Sequence, residues 1–158
     1  HVFPEFDSPT GFLRARTVWL FTRSMELKYQ SRANLETGIM KTFAALRDAD
    51  LPVKFLAGAQ FRYLLEADQC IPILRANLPL LMDSFFTLLS EMGVDDVVTS
   101  LETLIRRFEA ELVDLAIPLL EKLVQLFDKY NKQAEAAINE LLIGQNRAMS
   151  RQAAGIPL

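Results

Sequence analysis

Two single residues and one cluster have the types from which chemistry is built: His1, Cys70 and the carboxylates between Asp95 and Asp114. His1 is the only histidine. An N-terminal histidine chelates copper through its ring and its amine, but no second histidine is present to complete such a site. Cys70 is the only thiol and has no other histidine to serve as its base, so a nucleophilic cysteine lacks its partner and a loop or partly buried thiol is the expected state. No Gly-rich phosphate loop or Gly-Lys-Ser/Thr sequence occurs. Neither catalysis, nor a cofactor, nor a resident metal is expected.

The acidic cluster comprises Asp95, Asp96, Glu102, Glu109, Glu111 and Asp114. On a helix beginning near Val94, Glu102 and Glu109 are seven apart, two turns, and share one face. Asp95, Asp96, Glu102 and Glu109 are therefore candidate contacts to a basic protein segment, acting through encounter rate and specificity. The alternative is a solvated helix face, partly neutralised by Arg106 and Arg107, with Asp95 or Asp96 as a cap.

The elements that carry these residues follow from periodicity. With 158 residues and 51% hydrophobic content the chain supports one ordinary core. A net charge of −3 and a pI near 5.2 argue against a general nucleic-acid binder. Its apolar runs are too short for a membrane span, a single thiol fits a reducing compartment, and a soluble intracellular protein is expected. A first residue of His1 makes the chain read as an excerpt of a longer protein.

Helical rhythm dominates. A first helix is expected in "GFLRARTVWLFTRSMELKY", and a second carries Leu35, Ile39, Phe43 and Leu46 after a Ser31 cap. The next, in "DLPVKFLAGAQFRYLLEAD", has Pro52 in its first turn and is apolar on nearly every side. Leu78 to Leu89 mark another, ending near Gly93, followed by one through Val97, Leu101, Leu104 and Phe108. A helix from about Leu112 to Tyr130 should be kinked or restarted by Pro118. A weaker one spans about Gln133 to Ile143, and residues 146–158 read as a flexible tail.

These helices repeat. Leu13, Arg14, Phe21 and Glu26 correspond to Val53, Lys54, Phe61 and Glu66, each 40 residues on, and Val97 stands 44 after Val53. "NLETGIMKTFAAL" and "NLPLLMDSFFTLL" align Asn34 with Asn77 and Phe43 with Phe86, 43 apart. Two helices per period of about 40 to 47 residues is the HEAT-type signature, with a plain helical bundle as the alternative. The expected fold is an all-α right-handed HEAT-repeat solenoid segment over residues 1–145, its antiparallel helix pairs near 1–28, 31–67, 72–110 and 112–145. A helix between two repeats has neighbours on several sides, which accounts for the apolar circumference of residues 50–68. Arg14 and Lys54 are expected to pair with acids of neighbouring repeats.

The ordered set "HVFPEF", "GFLRAR", Trp19, "MELKY", "LPVKFLAGAQFRYLL", "IPILRANLPLLMDSFFTLLSEMGVDD" and "FEAELVDLAIPLLEKLVQLF" resembles the importin-seven/eight branch of the importin-beta (karyopherin-beta) superfamily over about residues 1–130. The resemblance implies a segment of a nuclear transport receptor that shuttles between cytoplasm and nucleus. Its implied partners are protein cargo of basic, ribosomal-protein or histone type, the GTPase Ran through other parts of the receptor, and Phe-Gly nucleoporins. Direct nucleic-acid and membrane contact are not implied. Trp19, Phe43, Phe61, Phe85 and Phe86 are read as core, with Phe-Gly pockets as the alternative. A HEAT scaffold for a multi-subunit enzyme such as a phosphatase is the competing function. After about Tyr130 the resemblance fades.

Overall fold

The computed structural model describes residues 3–92 and 95–153, which are mostly helical with no strand among them. A 3-10 turn, Phe3–Asp7, leads into α1 (Gly11–Arg23), α2 (Arg32–Ala45), α3 (Leu51–Gln60), α4 (Arg62–Glu66), α5 (Ile71–Ala76), α6 (Leu78–Met92), α7 (Asp95–Arg107) and α8 (Glu109–Leu112). After the turn Val113–Leu115 comes α9 (Ala116–Ala153). Residues 1–115 form one compact unit and 116–158 a second.

Local chemistry sets the boundaries of the first unit. The Ser31 hydroxyl accepts from the Asn34 N–H at 3.3 Å, capping α2 as its sequence predicts. Pro52 lies in the first turn of α3, where its missing N–H leaves no helical acceptor unserved. Asp50 holds the cap position there without a capping bond, because its carboxylate is turned to Arg14. Helix α1 ends at Arg23, earlier than expected. The Ser24 hydroxyl bonds the Phe21 carbonyl at 2.7 Å and Tyr29 Oη at 2.7 Å, and the chain leaves through a 3-10 turn, Ser24–Glu26. The helix expected over residues 50–68 is likewise divided, with Phe61 between α3 and α4.

Packing explains the apolar circumference of that segment. Helix α3 is in contact with α1, α2, α4, α6 and α7, so Val53, Ala57, Phe61, Leu64 and Leu65 of α3 and α4 all become buried. Val53 and Val97 are 0% exposed, whereas the corresponding Leu13 of α1 is 41% exposed. The same register position is core only where a helix stacks on it. Phe61 meets Phe85 edge to face at 5.5 Å between centroids, joining α3/α4 to α6. The Ser100 hydroxyl donates to the Ala59 carbonyl at 3.3 Å, tying α7 to α3 without leaving a buried hydroxyl unsatisfied. Gly58 permits the close approach of these helices: a Cβ there would meet a Leu88 methyl at 2.5 Å.

The second unit corrects the expectation of two helices and a tail. Helix α9 is continuous from Ala116 to Ala153, with no break between Tyr130 and Gln133 and helical structure beyond residue 145. Pro118 falls in its first turn, so the proline resets the start of the helix instead of kinking its middle. Nothing in residues 131–133, Asn-Lys-Gln, forbids helix, and a dip in apolar content is not a stop signal. Ile117, Leu120, Val124, Phe127, Ile138 and Leu141 of this helix are exposed. The cap and stop assigned to Gly93 and to the side chains of Asp95 and Asp96 lie outside the described residues.

Candidate interaction surfaces and the ladder between repeats

Arg14, at the second position of its repeat, is held by four bonds. Its Nε and Nη2 form a bidentate pair with Asp48 at 2.8 Å each, Nη2 also reaches Asp50 at 2.5 Å, and Nη1 donates to the Ser8 carbonyl at 2.7 Å. The Asp48 side chain is only 13% exposed, and the Arg14 guanidinium holds its carboxyl below the usual carboxylate range. One repeat on, Lys54 pairs with Glu91 at 2.8 Å. Both bases pair with acids later in the chain, Asp48 between α2 and α3 and Glu91 on α6, as the repeat alignment predicts.

Comparable offsets, from 34 to 39 residues, recur along the unit. Lys41 pairs with Asp7, Arg47 with Asp83, Arg75 with Glu111 and Arg107 with Asp68. Surface pairs of this kind contribute about 0 to 1 kcal/mol each, so the ladder sets register between repeats more than it holds them together. A neutral clamp joins the same layers: Gln69 Nε2 donates to the carbonyls of Met25 and Leu27 at 3.2 and 3.0 Å, and its Oε1 accepts from the Tyr29 N–H at 3.3 Å. Residue-by-residue reading missed Gln69, although its 40-residue offset from Tyr29 matches the repeat.

The acids proposed to meet a basic partner do not share one helix. Glu102 is exposed on α7 and Glu109 is exposed at the start of α8. Between them Phe108, whose side chain is fully buried, leaves helical geometry, with φ −121° and ψ 26°. Helical bonds flank the interruption, the Phe108 N–H reaching the Leu104 carbonyl at 3.1 Å and the Leu112 N–H the Phe108 carbonyl at 2.9 Å. Glu111 is engaged by Arg75, and Asp114 is exposed. The side chains of Asp95 and Asp96 are outside the described residues.

Of the five aromatic candidates, Phe43, Phe61, Phe85 and Phe86 are buried core residues. Only Trp19 is half-exposed, with the Arg16 guanidinium 4.2 Å from its ring centroid. Cys70 is fully buried beside Met25, its Sγ 3.6 Å from the Met25 sulfur, and burial pushes its thiol up to about 12. A thiol that far from ionising is no nucleophile at neutral pH. A hollow of about 390 Å³ between α4 and α7 is lined by Leu65, Glu66, Thr103, Arg106 and Arg107, without a nucleophile and base in a shared geometry. Among the described residues no group of His, Cys, Asp and Glu is arranged to hold a metal. None of the described helices is long and apolar enough to cross a membrane.

A stacked helical array with a charged ladder, and among the described residues no assembled catalytic constellation, is the geometry on which similarity to known proteins bears. A Dictyostelium discoideum protein described as a probable importin-7 homolog is 36% identical over 127 residues, covering 80% of this chain. This chain is homologous to a segment of importins of the importin-7/8 branch. An importin beta-like SAD2 homolog of Arabidopsis thaliana is 32% identical over 127 residues, again 80% of the chain. Human importin-8 is 25% identical over 131 residues, or 82% of the chain. The chain spans only 12 to 13% of the length of these importins. No family model matches the chain, and no solved structure matches it. The stacked helices are accordingly an all-α HEAT-repeat segment, and the scaffold alternative finds no support among these relatives.

Proposed function

We propose that this chain forms part of the solenoid of a nuclear transport receptor that carries protein cargo through the nuclear pore under control of Ran. It acts by binding and not by catalysis, and moves between cytoplasm and nucleus. The observation that carries this reading is the importin similarity along four-fifths of the chain, which coincides with the stacked, ladder-linked helices. Burial of Cys70 supports a binding role, since it removes the only thiol from reaction. Within the receptor, Ran is engaged by other repeats, and Phe-Gly nucleoporins are further partners.

The cargo assigned to this segment is a basic protein stretch of ribosomal-protein or histone type, met by Glu102 and Glu109 together with Asp95 and Asp96 earlier in the sequence. Both glutamates are exposed, and among the described residues neither is tied to a base, so both are available to a partner. The test is fluorescence anisotropy with labelled basic segments of a ribosomal protein and a histone, across a salt series. Saturable binding that weakens with salt and falls several-fold in the E102Q/E109Q variant is expected. Absence of binding at low salt would remove cargo contact from this segment. Phe-Gly peptides provide the second arm, since a pure scaffold has no reason to bind them.

A further inference from the structure

Six bases of the first unit, Arg14, Lys41, Arg47, Lys54, Arg75 and Arg107, each pair with a carboxylate about one repeat away. Arg16, Arg23 and Arg62 depart from this pattern. They lie on aromatic rings: Arg16 on Trp19 at 4.2 Å, and both Arg23 and Arg62 on Tyr63 at 4.7 and 5.0 Å from its centroid. The Tyr63 Oη accepts from both, from Arg23 Nη1 and from Arg62 Nη2 at 3.2 Å. Among the described residues no carboxylate forms an ion pair with any of the three, although Glu26 and Glu66 are exposed within one turn of Arg23 and Arg62.

Two guanidinium groups gathered on one phenol with no carboxylate in ion-pair contact repel each other, and an arriving anion relieves that repulsion. The rings hold the cations in place beforehand, which lowers the ordering cost of binding. We propose that this surface, formed by α1 and α4, docks an acidic peptide segment of a protein partner. Arg16 and Arg23 are seven residues apart on α1, about 10 Å along its axis. That distance matches carboxylates three residues apart in an extended peptide, about 10 Å at roughly 3.3 to 3.6 Å per residue. Guanidinium groups bind carboxylates in a bidentate fork, and the half-exposed faces of Trp19 and Tyr63 add an apolar shelf. Three cations on a chain of net charge −3 offer little to a polynucleotide, whose affinity depends on neutralising many phosphates. The surface is opposite in charge to the glutamates assigned to basic cargo, and the inference is independent of the transport reading.

Trp19 is the only tryptophan, so its fluorescence reports on the site directly. The full 158-residue chain is titrated with short poly-glutamate, with poly-lysine of equal length and with poly-uridine of matched charge. Expected is a saturable change with poly-glutamate alone, weakening as salt rises, and weaker by about tenfold or more in R16Q/R23Q/R62Q. R32Q/R47Q, altered at the start of α2 and in the turn that follows it, should bind as the parent does. Should the triple variant fail to retain its helical circular dichroism, R16Q alone, exposed on α1, is expected to weaken binding about threefold. No saturable change, unaltered binding by the variant that folds, or tighter binding of poly-uridine overturns the proposal.

Discussion

The ring of Phe21 on α1 lies directly against Gly38 on α2, where the space a Cβ would occupy is already taken by the ring. Phe21 is also ringed by Phe3, Phe6 and Tyr29, with centroids 6.2, 5.9 and 5.8 Å away. It therefore has no free side toward which to move. Gly38→Ala is expected to destabilise the chain by about 1 to 3 kcal/mol, the usual cost of overpacking a filled core. Urea unfolding measures this, and an unchanged midpoint would show that the α1–α2 contact yields without strain.

The Arg14–Asp48 pair predicts an acid limb in the stability profile. Asp48 has its folded pKa depressed by Arg14, so its contribution is fully present above the unfolded value, about 3.9, and is lost as pH falls through the folded one. Asp48→Asn should be less stable at neutral pH and should approach the parent as pH drops below about 4. Parallel pH profiles for parent and variant would remove the pair from that limb.

Cys70 should resist alkylation in the native state, because it is fully buried and its thiol is pushed up to about 12. Iodoacetamide labelling followed by mass spectrometry is expected to be slow in buffer and complete after urea unfolding. Rapid native labelling would mean that α5 opens readily.

Gln69→Ala should loosen the segment after α1, since one side chain serves two carbonyls and one N–H there. A loss of about 1 to 2 kcal/mol is expected, with faster amide exchange at Tyr29. Unchanged exchange at Tyr29 would count against the clamp.

Exposed Ile117, Leu120, Val124, Phe127, Ile138 and Leu141 on α9, together with Phe12 and Leu20 on α1, predict self-association of the isolated chain. Sedimentation velocity should show mass rising with concentration, and Phe127→Glu with Leu141→Glu should reduce it. A monomer at every concentration would show that these side chains are too dispersed to associate.

The all-helical class, the repeat spacing, the Ser31 cap and the place of Pro52 were legible in the chain, because periodicity and capping are local. So was the pairing of Arg14 and Lys54 with acids beyond their own helix, since equivalent positions of a repeat meet equivalent surroundings. The family also rested on residues in order along the chain. Only the tertiary structure decided that α7 is interrupted at the fully buried Phe108, so that Glu102 and Glu109 stand on two helices. Likewise Arg16, Arg23 and Arg62 have the composition of ordinary surface bases. Arg16 meets Trp19 within α1 and Arg62 meets Tyr63 within α4, but bringing Arg23 onto Tyr63 depends on α1 and α4 coming together, and no spacing within either helix encodes that.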